Sequence, residues 1–303
     1  MITYKAKTSN GEIIKSALSP FTFPAGEAHT KREERRELEP TEIAILQFTP
    51  ESLSQDLFQL AMWNNTVTQE DPRIKRAALI PYFPGARADR GAPFGAEVYA
   101  EFIYSLSLDQ VITYDPHSQV YIDLLQHDPC LTVTPVYPHE ILGTRDSQLV
   151  MPNNYDAIIA PDKGAKVRSG AVAREFDLTL LTATKTRDFE TGKLTGFGLE
   201  DDLDDHMKRL LIVDDICDGG GTFIGLAEAV KAQYPYVELD LYVSHGVFSK
   251  NALKNLEKTF SHIFTTDSYD PKRNLTTRET EFQDDSTCFH RIDIIRPLLK
   301  KVN

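Results

Sequence analysis

Short apolar runs alternate along this chain with longer stretches whose apolar residues recur at helical spacing. Residues 42–48 (EIAILQF), 76–83 (RAALIPYF) and 110–114 (QVITY) are mostly apolar and rich in β-branched side chains. Such runs predict strands buried on both faces. Between them, residues 51–64 and 94–106 carry apolar positions three and four apart, which predicts amphipathic helices. The pattern then returns. Strands are expected at 156–160 (DAIIA), 178–183 (LTLLTA), 209–213 (RLLIV) and 238–243 (ELDLYV), with helices near 167–175 and 222–234. Buried strands alternating with helices imply mainly parallel sheets flanked by helices, the α/β class. Because the pattern runs twice, two similar domains are expected, residues 1–147 and 148–303, dividing near the polar stretch TRDSQLVMPNN.

Composition narrows the chemistry. A chain of 303 residues can bury two separate cores, and 41% hydrophobic with 26% charged residues is ordinary for a soluble globular protein. A net charge of -12 argues against broad nucleic-acid binding, which needs clustered cations. Phosphates must then be held by local devices: backbone N–H groups, a few Lys or Arg, and a metal ion. Cys130, Cys217 and Cys288 are odd in number and far apart, which points away from a disulfide framework or a zinc site and suits a reducing cytoplasm. The first residues lack an apolar signal core, and no apolar run approaches the ~20 residues that span a bilayer, so no membrane association is expected.

The most informative stretch is Leu210–Val230, LLIVDDICDGGGTFIGLAEAV. A buried strand ends at Asp214 and Asp215, and Asp218-Gly219-Gly220-Gly221-Thr222 leads straight into a helix. Glycines allow successive N–H groups to face one concavity, and the helix N-terminus adds its positive dipole end. That arrangement binds a phosphate without a basic side chain, while the carboxylates suit ribose hydroxyls or a magnesium shell. The plainer alternative is a tight turn with Asp218 as helix cap. The acidic run at 200–205 (EDDLDD) reads as a solvated turn before a strand rather than a metal site.

This segment resembles the ribose-phosphate loop of PRPP-binding proteins: two acids, two variable residues, then Asp-Thr-Gly/Ala-Gly-Thr, with Gly219 in place of the first Thr. Other segments resemble the PRPP synthetases in particular, in the same order. FTFPAGE (21–27) is similar to their adenine-binding turn, and IPYFPGARADR (80–90) to their Pro-Tyr-Phe-x-Tyr-Ala-Arg-Gln-Asp-Arg segment. YDPHSQ (114–119) resembles Asp-Leu-His-x-x-Gln, APDKGAKVR (160–168) the diphosphate loop, and SHGVFS (244–249) the segment beyond the ribose loop. Lys185-Thr186-Arg187, expected to follow a strand, stands where that family has its catalytic Lys-x-Arg, in a polar stretch that suits a mobile flap. The chain is thus identified as a divergent member of the ribose-phosphate diphosphokinase (PRPP synthetase) family, resembling virus-encoded ones.

The resemblance implies transfer of diphosphate from ATP to the anomeric hydroxyl of ribose 5-phosphate, with Mg2+, giving PRPP and AMP. It implies Lys185 and Arg187 as the catalytic clamp, and Asp214, Asp215, Asp218, Gly219, Gly220, Gly221 and Thr222 as the ribose-phosphate site. Phe23, Glu27, Arg87 and His117 would contact ATP, and His117 and Asp162 the metal. A homo-oligomer is implied, with ATP between the domains or against a neighbouring subunit. Departures cluster in the nucleotide and 5-position regions: Ala25 for Asp, Ala88 for Gln, Gly91–Pro93 for a charged neighbourhood, and Gly219 for Thr. The smaller loop raises ADP-ribose as an alternative acceptor, as for some virus-encoded members, giving ADP-ribose 1-diphosphate for rebuilding NAD. A non-catalytic regulatory subunit is the alternative from another class, and the N-terminal motifs disfavour a phosphoribosyltransferase.

Overall fold

In β1 (Ile2–Lys7), Ile2, Tyr4 and Ala6 are buried and the residues between them half-buried, the two-residue period of a strand with one covered face. This computed structural model describes residues 1–33, 36–127, 129–143, 154–187, 194–269 and 288–303. After β1 come β2 (Ile13–Lys15), β3 (Leu18–Thr22) and β4 (Ala28–Arg32). Their polar alternate positions break any apolar run, so none of the four strands announces itself by run length. The first fully buried strand is β5 (Thr41–Leu46), antiparallel to β1 and parallel to β6 (Lys75–Leu79). Next come β7 (Gln110–Tyr114) and β8 (Thr132–Val136), both parallel to their neighbours, in the order β2-β1-β5-β6-β7-β8.

Helices α1 (Leu53–Glu70), α2 (Gly95–Ser105) and α3 (Gln119–Leu125) make the crossovers. Trp63 of α1 is fully buried. The apolar run 76–83 leaves the sheet at Leu79, earlier than its apolar character suggested. Ile80 still donates to the Ile112 carbonyl (2.8 Å), but Pro81 has no N–H to continue the ladder.

The second unit opens with α4 (Pro138–Ile141) and β9 (Ala157–Ala160), followed by α5 (Lys166–Glu175), β10 (Thr179–Arg187) and β11 (Leu194–Leu199). Then come β12 (Arg209–Cys217), α6 (Gly221–Gln233), β13 (Glu238–Gly246), α7 (Ala252–Leu256), β14 (Ile263–Thr266) and β15 (Phe289–Ile292). The order is β11-β10-β9-β12-β13-β14-β15, with every pair parallel except β10 and β11. The chain leaves β9 toward β10 and β11, then returns to the other side of β9 with β12. That reversal opens a crevice at the carboxyl ends of β9 and β12, where ligands bind in open α/β sheets. Ile212, Leu241, Phe223, Leu226 and Leu256 form part of the core that holds α6 against the sheet.

The chain forms two compact units, the first Met1–Val136, Ser268–Asp270 and Ile295–Asn303, and the second Tyr137–Asp267 and Pro271–Ile294. The last helix, α8 (Ile295–Leu299), therefore belongs with the first unit, and the division is not a single cut of the chain. Backbone groups beyond it explain why: Gln110 Nε2 donates to the Lys301 carbonyl at 3.0 Å and Asn303 N donates to Gln110 Oε1 at 3.0 Å. The expected boundary at 147/148 lies outside the described residues. Among the described residues, no helix is long and apolar enough to cross a membrane. The acidic run at 200–205 is exposed apart from Leu203, and Tyr234 Oη donates to Asp202 there at 2.9 Å.

Candidate active site

β12 runs four residues beyond the apolar segment that predicts it, because its ladder with β13 continues to Cys217 opposite Gly246. Asp214 and Asp215 therefore stand among the last four residues of a central strand, and Asp215 is buried. Gly220 has φ +75°, a left-handed conformation natural to glycine, and forms the N-cap of α6 with no side-chain capping bond. Gly221 and Thr222 are the first helical residues, so the helix begins one residue earlier than expected, and Asp218 is not its cap. An anion at this terminus would meet backbone N–H groups and the positive end of a 13-residue helix. A Cβ on Gly220 would touch Leu256 at 3.3 Å, whereas one on Gly219 or Gly221 would meet nothing within 4 Å. The loop is thus tight at its middle glycine and open at its flanks. Two bonds from the following segment hold its entrance: Phe248 N to the Cys217 carbonyl (3.0 Å) and Ser249 N to that of Asp218 (3.1 Å). Burial pushes the Cys217 thiol up to about 12, which keeps it protonated and unreactive.

Across the crevice, the loop after β9 closes on Asp162, whose Oδ1 accepts from Gly164 N (2.9 Å) and Ala165 N (3.1 Å). α5 follows, and two consecutive residues of its first turn grip β12. Ser169 Oγ donates to the buried Val213 carbonyl at 2.8 Å. Arg168 forks between the acids, Nη1 3.6 Å from Asp214 Oδ1 and Nη2 3.6 Å from Asp215 Oδ2. Burial, and next the Asp215 charge, raise the Asp214 carboxyl well above its ordinary value, against the pull of Arg168. Arg168 ends the segment 160–168 quoted from the sequence, which gave it no role of its own. The available signal was a charge on the inward stripe of a helix, four residues before buried Val172 and three after buried Ala165.

Lys185 and Arg187 lie within β10 rather than after it. The strand continues because β11 pairs with its extension, Lys185 opposite Phe197 and Arg187 opposite Leu194, with a β-bulge between Thr186 and Arg187. Residues 188–193, the centre of the expected flap, lie outside the described residues. The diphosphate-type loop after β9, the cationic extension of β10 and the glycine loop after β12 thus come from three neighbouring strands.

In the first unit, His117 and Asp89 come together from the loops after β7 and β6. Burial opposes ionisation of Asp89, yet the neighbouring Ser118 hydroxyl, Arg90 (Nε to Oδ1 3.2 Å) and His117 leave its carboxyl below its ordinary value. Asp89 lies in the segment 80–90 quoted from the sequence, but its meeting with His117 is visible only once two distant loops come together. Arg87 of the same loop is exposed. Phe23 and Glu27 close the β3–β4 hairpin, Phe23 N donating to the Glu27 carbonyl at 2.9 Å. Phe23 is 43% exposed, edge-on to Phe21 with ring centres 4.9 Å apart. A large aromatic held at an exposed tip suits stacking on a flat ligand.

Residues 140–271 match the phosphoribosyl transferase domain family. Over 241 residues the chain is 27% identical to a ribose-phosphate pyrophosphokinase of Hyphomonas neptunium, covering 77% of this chain and 73% of that one. It is 26% identical over 285 residues to that of Maricaulis maris, covering 89% and 88%. Among solved structures, the phosphoribosylpyrophosphate synthetase of Mycobacterium smegmatis shares the fold, with a TM-score of 0.73 at 19% identity over 95% of this chain and 89% of that one.

Proposed function

We propose that this chain, similar over most of its length to ribose-phosphate pyrophosphokinases, is an enzyme of that family that transfers diphosphate from ATP to the anomeric hydroxyl of ribose 5-phosphate, yielding PRPP and AMP. The observation that carries this reading is the convergence at one switch point of three devices: a loop for diphosphate, a cationic strand and a glycine-capped helix. Asp214, Asp215 and Asp218 accept from the ribose hydroxyls, and the N–H groups of Gly219 to Thr222 hold the 5-phosphate. The anomeric oxygen then faces the loop after β9. As it attacks the β-phosphorus and AMP leaves, charge grows on the bridging and nonbridging oxygens, and Lys185 and Arg187 stabilise it.

Phe23, Glu27, Arg87 and His117 are assigned to ATP. Bound magnesium neutralises triphosphate charge so that a neutral hydroxyl can approach. Asp162 fits one part of such a site, because its carboxylate is pinned at the loop mouth and oxygen donors suit a hard cation that keeps water and phosphate ligands. His117 is the residue assigned to the metal in the first unit. Purified protein given ATP, magnesium and ribose 5-phosphate should release AMP. Chelation should stop the release and added magnesium restore it. AMP formation that continued unchanged under chelation would set the reading aside.

A second acceptor, ADP-ribose, is favoured by one observation: the space beside Gly219 is open where the resembling family carries a Thr. Gly219 is outside the left-handed region, so Gly219→Thr is sterically allowed. It should lower the specificity constant for ADP-ribose relative to ribose 5-phosphate, read by direct competition. Gly220→Val, strained by its positive φ and pressed on Leu256, should impair use of either acceptor more than ATP binding. An unchanged ratio in Gly219→Thr would show that this position does not choose the acceptor.

A further inference from the structure

α6 carries a glycine in its interior, Gly225, where helix propensity alone favours alanine. The reason stands opposite it. A Cβ on Gly225 would lie 2.5 Å and 2.9 Å from two ring atoms of Phe197, a separation that real side chains essentially never adopt. Phe197 belongs to β11, and with Leu199 it packs against the core that α6 helps to form. β11 is the antiparallel partner of the β10 extension, and Phe197 is the residue registered opposite Lys185. It is an edge strand, so β10 and the helix beneath it are its supports in the second unit. Gly225, in turn, lies one helical turn beyond the glycine loop. One aromatic ring seated on one glycine thus connects the strand pair bearing Lys185 and Arg187 to the helix whose N-terminus forms the phosphate nest.

We propose that the Phe197–Gly225 contact is a positioning device for the transfer reaction: it sets the height of the β10–β11 pair above α6 and so the placement of Lys185 and Arg187. This rests on the catalytic assignment of Lys185 under the proposed function. Neither residue is assigned to substrate, and the glycine matters because it lets the ring approach the helix backbone. Raising the ring by the thickness of a methyl group shifts β11, and with it the registered backbone at Lys185, by a sizeable fraction of an ångström. Misplacement on that scale lowers rate rather than ground-state binding, because the clamp acts on charge that develops in the transition state.

The test is steady-state AMP release by the full chain with magnesium, ATP and ribose 5-phosphate or ADP-ribose, whichever the wild type uses. Gly225→Ala should lower kcat by about 10- to 100-fold with KM for both substrates within about twofold. Gly225→Ala with Phe197→Leu, which trades the ring for a shorter side chain, should recover most of the loss. Phe197→Ala alone should lower kcat as well, and it keeps the proposal testable should Gly225→Ala not fold. Wild-type kcat in Gly225→Ala or Phe197→Ala beside an inactive Lys185→Ala overturns the positioning role alone. So does a kcat loss that Phe197→Leu fails to recover, or a KM rise for the acceptor as large as the fall in kcat. Wild-type turnover in Lys185→Ala overturns the catalytic assignment, and the positioning role with it.

Discussion

Lys185→Ala should lower turnover on the order of 100-fold or more while leaving acceptor KM nearly unchanged. Such a loss corresponds to about 2.7 kcal/mol of transition-state stabilisation, the scale of one preorganised charge in a water-excluded site. Two structural facts make the expectation specific. The Lys185 backbone is held in a strand by its pairing with Phe197, so the residue has a defined place before substrate arrives. That strand borders β9, whose following loop is the candidate diphosphate site. Truncation leaves the strand pairing intact, because the ladder is a backbone feature, and folding stability should change little. The kcat and KM of the variant, beside its thermal midpoint, decide the matter. Near-normal turnover in the folded variant would remove Lys185 from catalysis.

The second large effect is on stability. Arg168→Met should destabilise the protein by about 3 kcal/mol near neutral pH, because it keeps the arginine stem but strands two adjacent carboxylates without the cation between them. The loss should shrink in acid. Asp214 already has a raised carboxyl in the folded chain, so it holds its proton more tightly there than when unfolded. Stability linked to it is therefore greatest below the ordinary carboxylate value of about 4 and falls as pH rises toward the raised value. Removing Arg168 raises that carboxyl further and steepens the fall. Asp214→Asn has the opposite sign: it escapes the cost of ionisation, so it should exceed wild-type stability near neutral pH and match it in acid. Its use of the acceptor should nonetheless drop, since the carboxyl proposed to bind the ribose is lost. Urea midpoints for the three proteins at about pH 4 and near neutrality test the signs. If Arg168→Met were as stable as wild type at both, the fork would contribute nothing to stability.

Much of the architecture was legible along the chain. The buried runs at 42–48, 110–114, 156–160, 209–213 and 238–243 all fall on strands, and the four periodic stretches overlap α1, α2, α5 and α6, α1 running six residues further than expected, to Glu70. The glycine loop was readable too, because a strand end, two acids and three glycines lie within about one dozen consecutive residues. What escaped were the half-covered strands β1 to β4, whose alternation is shorter than any apolar run, together with β8, β11, β14 and β15 and the short helices α3, α4, α7 and α8.

The sequence by itself determined the α/β class, the order of the chemical segments and the junctions where backbone must bend, since hydrophobic period and glycine torsion act within a few residues of themselves. Only the tertiary structure decided that β12 returns to the far side of β9, which places the glycine loop beside the diphosphate-type loop. It also decided that Arg168 meets Asp214 and Asp215 across some 46 residues of chain, that Lys185 continues a paired strand, and that Phe197 rests on Gly225. Each of these depends on which distant surface a side chain is buried against. A local pattern says only that it will be buried, because burial is non-directional and its partner is chosen by packing and strand pairing far away in sequence.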